Sequence, residues 1–162
     1  MVSAIDGHEA LRAAMIGSEG AIGHELAFDV GHAPHRVLVQ GAGMAWRMTV
    51  VALHAQLLHS APLRRLLNRY LCLLLMQSVR MGGCHQLHRI EARLARWLLS
   101  TQDCAHSPQF ALTHEMLAEM LGVRRSGITN AATALQAHGL IDYRRGMITI
   151  TDRNGLEAAA CG

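Results

Sequence analysis

Thr113-His-Glu-Met-Leu-Ala-Glu-Met-Leu-Gly-Val-Arg-Arg-Ser-Gly-Ile-Thr-Asn130 is the stretch on which the fold turns. Thr113 is a good helix N-cap, and Glu115 stands in the first turn, where its charge suits the helix dipole. Met116, Leu117, Met120 and Leu121 recur at three and four residues and predict a buried face over 114–121, which Gly122 terminates. A second helix is predicted from Arg124 or Arg125 to His138, closed by Gly139. Two helices joined by a turn of three or four residues containing Gly make a helix-turn-helix. Ala118 is small where the helices must cross, and Val123 and Ile128 are apolar where the second packs back.

The outer face of that second helix predicts contact with duplex DNA. Ile128, Ala132 and Leu135 face the core, leaving Arg124, Arg125, Ser126, Thr129 and Asn130 outward at the end that would enter a major groove. Arginine can bond guanine O6 and N7 together, and asparagine can do the same for adenine N6 and N7. Arg125 and Asn130 are therefore the expected base readers. Arg124, Ser126, Thr129 and the backbone at the Thr113 cap suit phosphates, which position a protein without reading sequence. After Gly139, Leu-Ile-Asp-Tyr-Arg-Arg-Gly-Met-Ile-Thr-Ile-Thr151 reads as a β-hairpin wing with Arg144 and Arg145 at its tip, beside the duplex backbone. The plain alternative for each arginine is a solvated helix end or turn.

Upstream, Leu63, Leu66, Leu67, Tyr70, Leu71, Leu74 and Leu75 predict a long helix from Pro62 to Met81, broken by Gly82-Gly83. Its apolar stripe is wide enough to need two covers, of which a second copy of the same helix is one. Leu87 to Ser100 predicts another helix and 101–109 a loop. Residues 1–50, punctuated by glycine, predict short strands at Ala13–Ile16, Arg36–Gln40 and Met44–Met48.

The chain has 162 residues, 51% apolar, 17% charged and 4% aromatic, which excludes a disordered tail. All 15 basic residues are arginine. Residues 1–40 hold two Arg against five acids, 41–110 eight against two, and 122–153 five against two, so the basic charge is local. That pattern suits a phosphate-bearing partner. No secretory leader is visible, and Tyr70–Met76 is too short to span a membrane, so a cytoplasmic protein is expected. Cys72, Cys84, Cys104 and Cys161 contain no CxxC pair. His24-Glu25 and His114-Glu115 begin like a zinc-hydrolase motif, but Phe28 and Ala118 stand where its second histidine belongs. Cys84-His85-x-x-His88, near the Gly82-Gly83 break, offers metal-ligand residue types with His85 and His88 one helical turn apart, against the more ordinary reading of partly exposed hinge residues. No enzyme, catalytic residue, resident metal or cofactor is expected.

Three stretches, beginning at Leu87-His-Arg-Ile-Glu-Ala-Arg-Leu-Ala-Arg-Trp-Leu-Leu, at Leu112 and at Gly139, together resemble the C-terminal winged helix-turn-helix of the Crp/Fnr-type transcription regulators. The resemblance covers about half the chain. It implies an α+β fold in three parts: a partial cyclic-nucleotide-binding-like β-roll over 1–60, a dimerisation helix over 61–83, and a winged helix-turn-helix DNA-binding domain over 84–162. It also implies a homodimer on double-stranded DNA, with RNA polymerase as a further partner, and places Arg125, Ser126 and Asn130 at base-reading positions. Ser126 stands where many members have Glu, and Asn130 where some have Arg, so a different operator preference is expected. Gly23-His-Glu-Leu-Ala27 and Arg36-Val37 depart from the phosphate cassette of cyclic-nucleotide binders, and no cysteine precedes Cys72 to hold an Fnr-like cluster. For this family the chain is shorter than expected at its N-terminal side. The competing expectation is a sensor-defective chain that heterodimerises with an intact relative and modulates it.

Overall fold

The computed structural model describes residues 2–5, 8–12, 15–28, 30–31 and 37–161. Two strands, β1 (Val2–Ile5) and β2 (His8–Arg12), form an antiparallel pair. A 3-10 turn at His24–Phe28 follows. The helices α1 (Val50–His59), α2 (Ala61–Leu87) and α3 (Ile90–Ala105) then carry the chain to β3 (Gln109–Ala111). Next come α4 (His114–Leu121), α5 (Arg125–Ala137), β4 (Ile141–Arg144), β5 (Met147–Ile150) and α6 (Arg153–Ala159).

The C-terminal elements close around one core. Leu94 and Leu98 of α3, Leu117 of α4, Ile128 and Leu135 of α5, Ile148 of β5 and Leu156 of α6 are all buried there. β5 is the middle strand of an antiparallel sheet ordered β3-β5-β4, with Ile148 opposite Phe110 on one side and Tyr143 on the other. Gly127 lets α5 approach α3 closely, since a Cβ there would lie 2.9 Å from Ile90 Cδ1. Arg153 binds α6 to the end of α3 through Asp103 at 2.7 Å and Gln102 at 2.8 Å.

Several sequence expectations are corrected here. The strands expected over Arg36–Gln40 and Met44–Met48 are absent from the described residues 37–48, which are irregular and exposed. Strand propensity acts only when a partner supplies the hydrogen-bond ladder and a face to bury, and Met44 and Trp46 are fully exposed. Of the strand expected at Ala13–Ile16, 13 and 14 lie outside the described residues, and 15–16 are irregular. Val50–His59, for which the sequence set no expectation of its own, is a helix capped by Thr49, whose hydroxyl accepts from Ala52 N–H at 3.2 Å.

The glycine pair does not break the long helix. α2 runs through Gly82-Gly83 to Leu87, because two interior glycines cost roughly 1 kcal/mol each and packing of the next turn outweighs that. Cys84 is buried, and Arg96 Nη1 lies 2.7 Å from its sulfur. α3 starts three residues later than expected and continues to Ala105, ending at His106 with φ +50°.

α2 is two-faced. Tyr70 donates to Ala21 O at 3.3 Å and meets His24 edge-on, which ties the helix to 15–28. Leu66, Leu73, Leu75, Met76 and Val79 are more than half exposed. Among the described residues, no helix is long and apolar enough to cross a membrane.

Candidate nucleic-acid interface

The helix-turn-helix is built as its sequence predicts. Thr113 Oγ1 accepts from Met116 N–H at 3.2 Å, capping α4. At the other end Gly122 takes φ +61°, a left-handed conformation that favours glycine. Its N–H bonds Glu119 O at 3.2 Å while Val123 N–H bonds Ala118 O at 3.0 Å, a Schellman closure that ends α4 and turns the chain toward α5.

α5 then buries Ile128, Ala131, Ala132 and Leu135, leaving the polar residues of its first half outward. Arg125, Ser126, Thr129 and Asn130 together line an open depression of about 340 Å³. Arg124 is the N-cap residue and is exposed. Arg125 Nε lies 3.6 Å from Glu115 Oε2, with both side chains mostly exposed. A solvated pair of this kind contributes under about 1 kcal/mol, so Arg125 can exchange the carboxylate for another acceptor at little cost.

The wing tip is a two-residue turn. Arg145 has φ +50° and Gly146 φ +81°, the mirror-image geometry that matches the twist of paired strands. Arg144 is mostly exposed and pairs with Asp142 at 3.1 Å, so its charge is partly answered locally. Gly146 O accepts from Leu112 N–H at 2.8 Å, which fixes the wing beside the start of α4. All eight expected site residues thus lie on α4's cap, the first half of α5 or the wing tip. Four share one depression, and Thr113, Arg124, Arg144 and Arg145 stand outside it.

His114 and Tyr143 escaped sequence reading. The His114 ring stacks on Tyr143 at 4.4 Å between centroids and 15° between planes, joining α4 to the wing. His114 Nδ1 is 3.0 Å from Thr129 Oγ1, and that hydroxyl donates to Arg125 O at 3.1 Å. Nε2 is buried without a partner, so the neutral ring with its proton on Nδ1, donating to Thr129, satisfies the geometry. Burial, and then the charge of Arg125, hold the His114 pKa below its ordinary 6.5. The only sequence signal was a histidine just after an N-cap; its partners lie 15 and 29 positions away in the chain.

Residues 92–159 match the family model of the Crp-like helix-turn-helix domain. This segment is similar to Crp-like helix-turn-helix domains. Among solved structures, the chain is similar to a crp/fnr-family protein from Eubacterium rectale, with 26% identity and a TM-score of 0.51 over 65% of this chain and 49% of that one. A CRP/FNR-family transcriptional regulator from Thermus thermophilus gives 24% identity and a TM-score of 0.57, over 62% and 55%. A CRP-family regulator from the same organism gives 21% and 0.53, with the same coverage. The chain therefore spans about half the length of these structures. A search among proteins of curated function gives no match. The matched segment takes in most of α3, the helix-turn-helix, the wing and α6, an element for which no expectation was drawn from the sequence.

Proposed function

We propose that the chain is a sequence-specific, DNA-binding transcription regulator of Crp/Fnr type, acting as a homodimer on a near-palindromic operator. The observation that carries this reading is the single outward row of Arg125, Ser126, Thr129 and Asn130 on the first half of α5, within a Crp-like helix-turn-helix domain. Arg125 and Asn130 read bases; Thr113, Arg124, Ser126, Thr129, Arg144 and Arg145 hold phosphates. The exposed apolar residues of α2 are the surface for a second copy of the chain. Two parallel copies would set half-sites about 34 Å apart. In this reading residues 1–60 are the sensor-like part, 61–83 the dimerisation segment and 84–162 the DNA-binding part. RNA polymerase is the further partner, in the cytoplasm, and no catalytic step or cofactor is involved.

The test is Arg125→Ala. Loss of a bidentate base contact costs about 1–3 kcal/mol and relaxes preference at one base pair. Competition binding against specific and random duplexes measures it, and an unchanged ratio removes Arg125 from base reading. Light scattering of the same preparations should give a dimer. A chain that associates only when mixed with a longer relative would favour the heterodimer reading.

A further inference from the structure

The geometry points to a binding site for a thiophilic divalent cation of zinc type, formed by Cys84, His88 and Cys161 where α2 meets the winged unit. Their ligand atoms, two sulfurs and an imidazole nitrogen, all lie within 4.8 Å of one another. A tetrahedral zinc ion with thiolate and imidazole ligands sets neighbouring ligand atoms about 3.5–3.9 Å apart. The cluster therefore closes on an ion with side-chain movements of about an ångström.

Sequence spacing alone offered Cys84, His85 and His88, all near the end of α2, and no partner. The fold separates the two histidines. His85 Nδ1 is engaged by Arg93 at 2.6 Å, and the same guanidinium donates to Leu121 O. His88, the exposed cap residue of α2, is left to join Cys84. Cys161 arrives from the segment after α6, and it is held there: its N–H donates to Ala92 O of α3 at 3.3 Å. Both cysteines are buried, while His88 faces water, so a three-residue set leaves a fourth position open to a water molecule.

Arg96 Nη1 lies 2.7 Å from Cys84 Sγ, so a guanidinium donates to that sulfur and would orient it as an outer partner of the metal. A cavity of about 50 Å³ beside the sulfurs is lined by Cys84, Cys161, Arg93, Arg96, Met81 and Trp97, among others. On binding, the two thiol protons leave to solvent and the two thiolates neutralise the dication. The ion would join the end of α2, the start of α3 and the segment after α6, and its binding does not depend on the DNA-reading proposal.

The test uses the reduced full chain, freed of metal by a chelator and titrated with Co²⁺ alone. One equivalent per chain should bind with a near-ultraviolet thiolate-to-cobalt charge-transfer band that Zn²⁺ then abolishes, and Zn²⁺ should raise the thermal midpoint. Cys84→Ser and Cys161→Ser should lose the band, and Cys72→Ser should keep it. Because a buried cysteine variant can fail to fold, exposed His88→Gln provides the second measure: unchanged helical circular dichroism with affinity lowered about tenfold or more. Three results overturn the proposal: no charge-transfer band in the wild-type chain, a band that persists in Cys161→Ser, or full affinity in folded His88→Gln.

Discussion

Residues 37–48, eight of twelve of them apolar, and residues 90–161, about half of them apolar, end in opposite states, and the more apolar stretch is the exposed one. The first stretch leaves Val39 largely exposed and Met44 and Trp46 fully so; the second buries Leu94, Leu98, Leu117, Ile128, Ile148 and Leu156 in one core. The difference lies in partners rather than composition. Each element of 90–161 has an apolar face that another element of the same unit covers, whereas the exposed stretch 37–48 touches that unit through the Gln40 amide, 2.9 Å from Met120 Sδ. The proposed DNA-reading row needs a rigid base, and the residues proposed for it stand on the region that supplies its own.

The sharpest way to break this contrast is a pair of substitutions. Ile128→Ala empties a fully buried site beneath the proposed reading row and should destabilise the chain by about 2–5 kcal/mol. Trp46→Ala removes a larger but solvated side chain and should stay within about 0.5 kcal/mol. Urea unfolding followed by circular dichroism measures both, and equal losses would remove the distinction between the regions.

A smaller effect is expected at the wing. Arg144→Ala should weaken binding to all duplexes alike and lower the slope of log affinity against log salt by about one unit. A change confined to one sequence would make Arg144 a base reader instead.

The smallest effect concerns pH. Because burial and Arg125 depress the folded pKa of His114 below 6.5, the unfolded chain takes up more protons there as pH falls. The stability contributed by neutral His114 is fully present above pH 6.5 and is lost as pH falls toward and through the folded value. The urea midpoint of the wild type should therefore drop more between pH 7.5 and 5.5 than that of His114→Gln. Identical pH profiles would mean that the ring does not link α4 to the wing as described.

The parts legible in sequence were those held by contacts within one or two helical turns. Thr113, Gly122 and the spacing of Met116, Leu117, Met120 and Leu121 fixed α4 to the residue, and Arg125, Ser126, Thr129 and Asn130 fall on the exposed side of α5 as their spacing predicts, with Arg124 at its cap. The Gly82-Gly83 pair misled because a local helix penalty was outweighed by the packing around Cys84 further along. α6 was missed because Arg153-Asn-Gly reads as a turn, although Asp152 accepts from Gly155 N–H at 3.0 Å and starts a helix. The stack of His114 on Tyr143 and the approach of Cys161 to Cys84 join residues far apart in the chain, where periodicity carries no signal.

The central claim, that α5 reads a specific duplex sequence as part of a symmetric pair, is tested most directly by selecting bound sequences from random DNA with the full chain. The account predicts enrichment of a near-palindrome whose half-sites lie about one helical turn apart, lost when Arg125 is replaced by alanine. Recovery of unenriched DNA, or of a single asymmetric half-site, would contradict it.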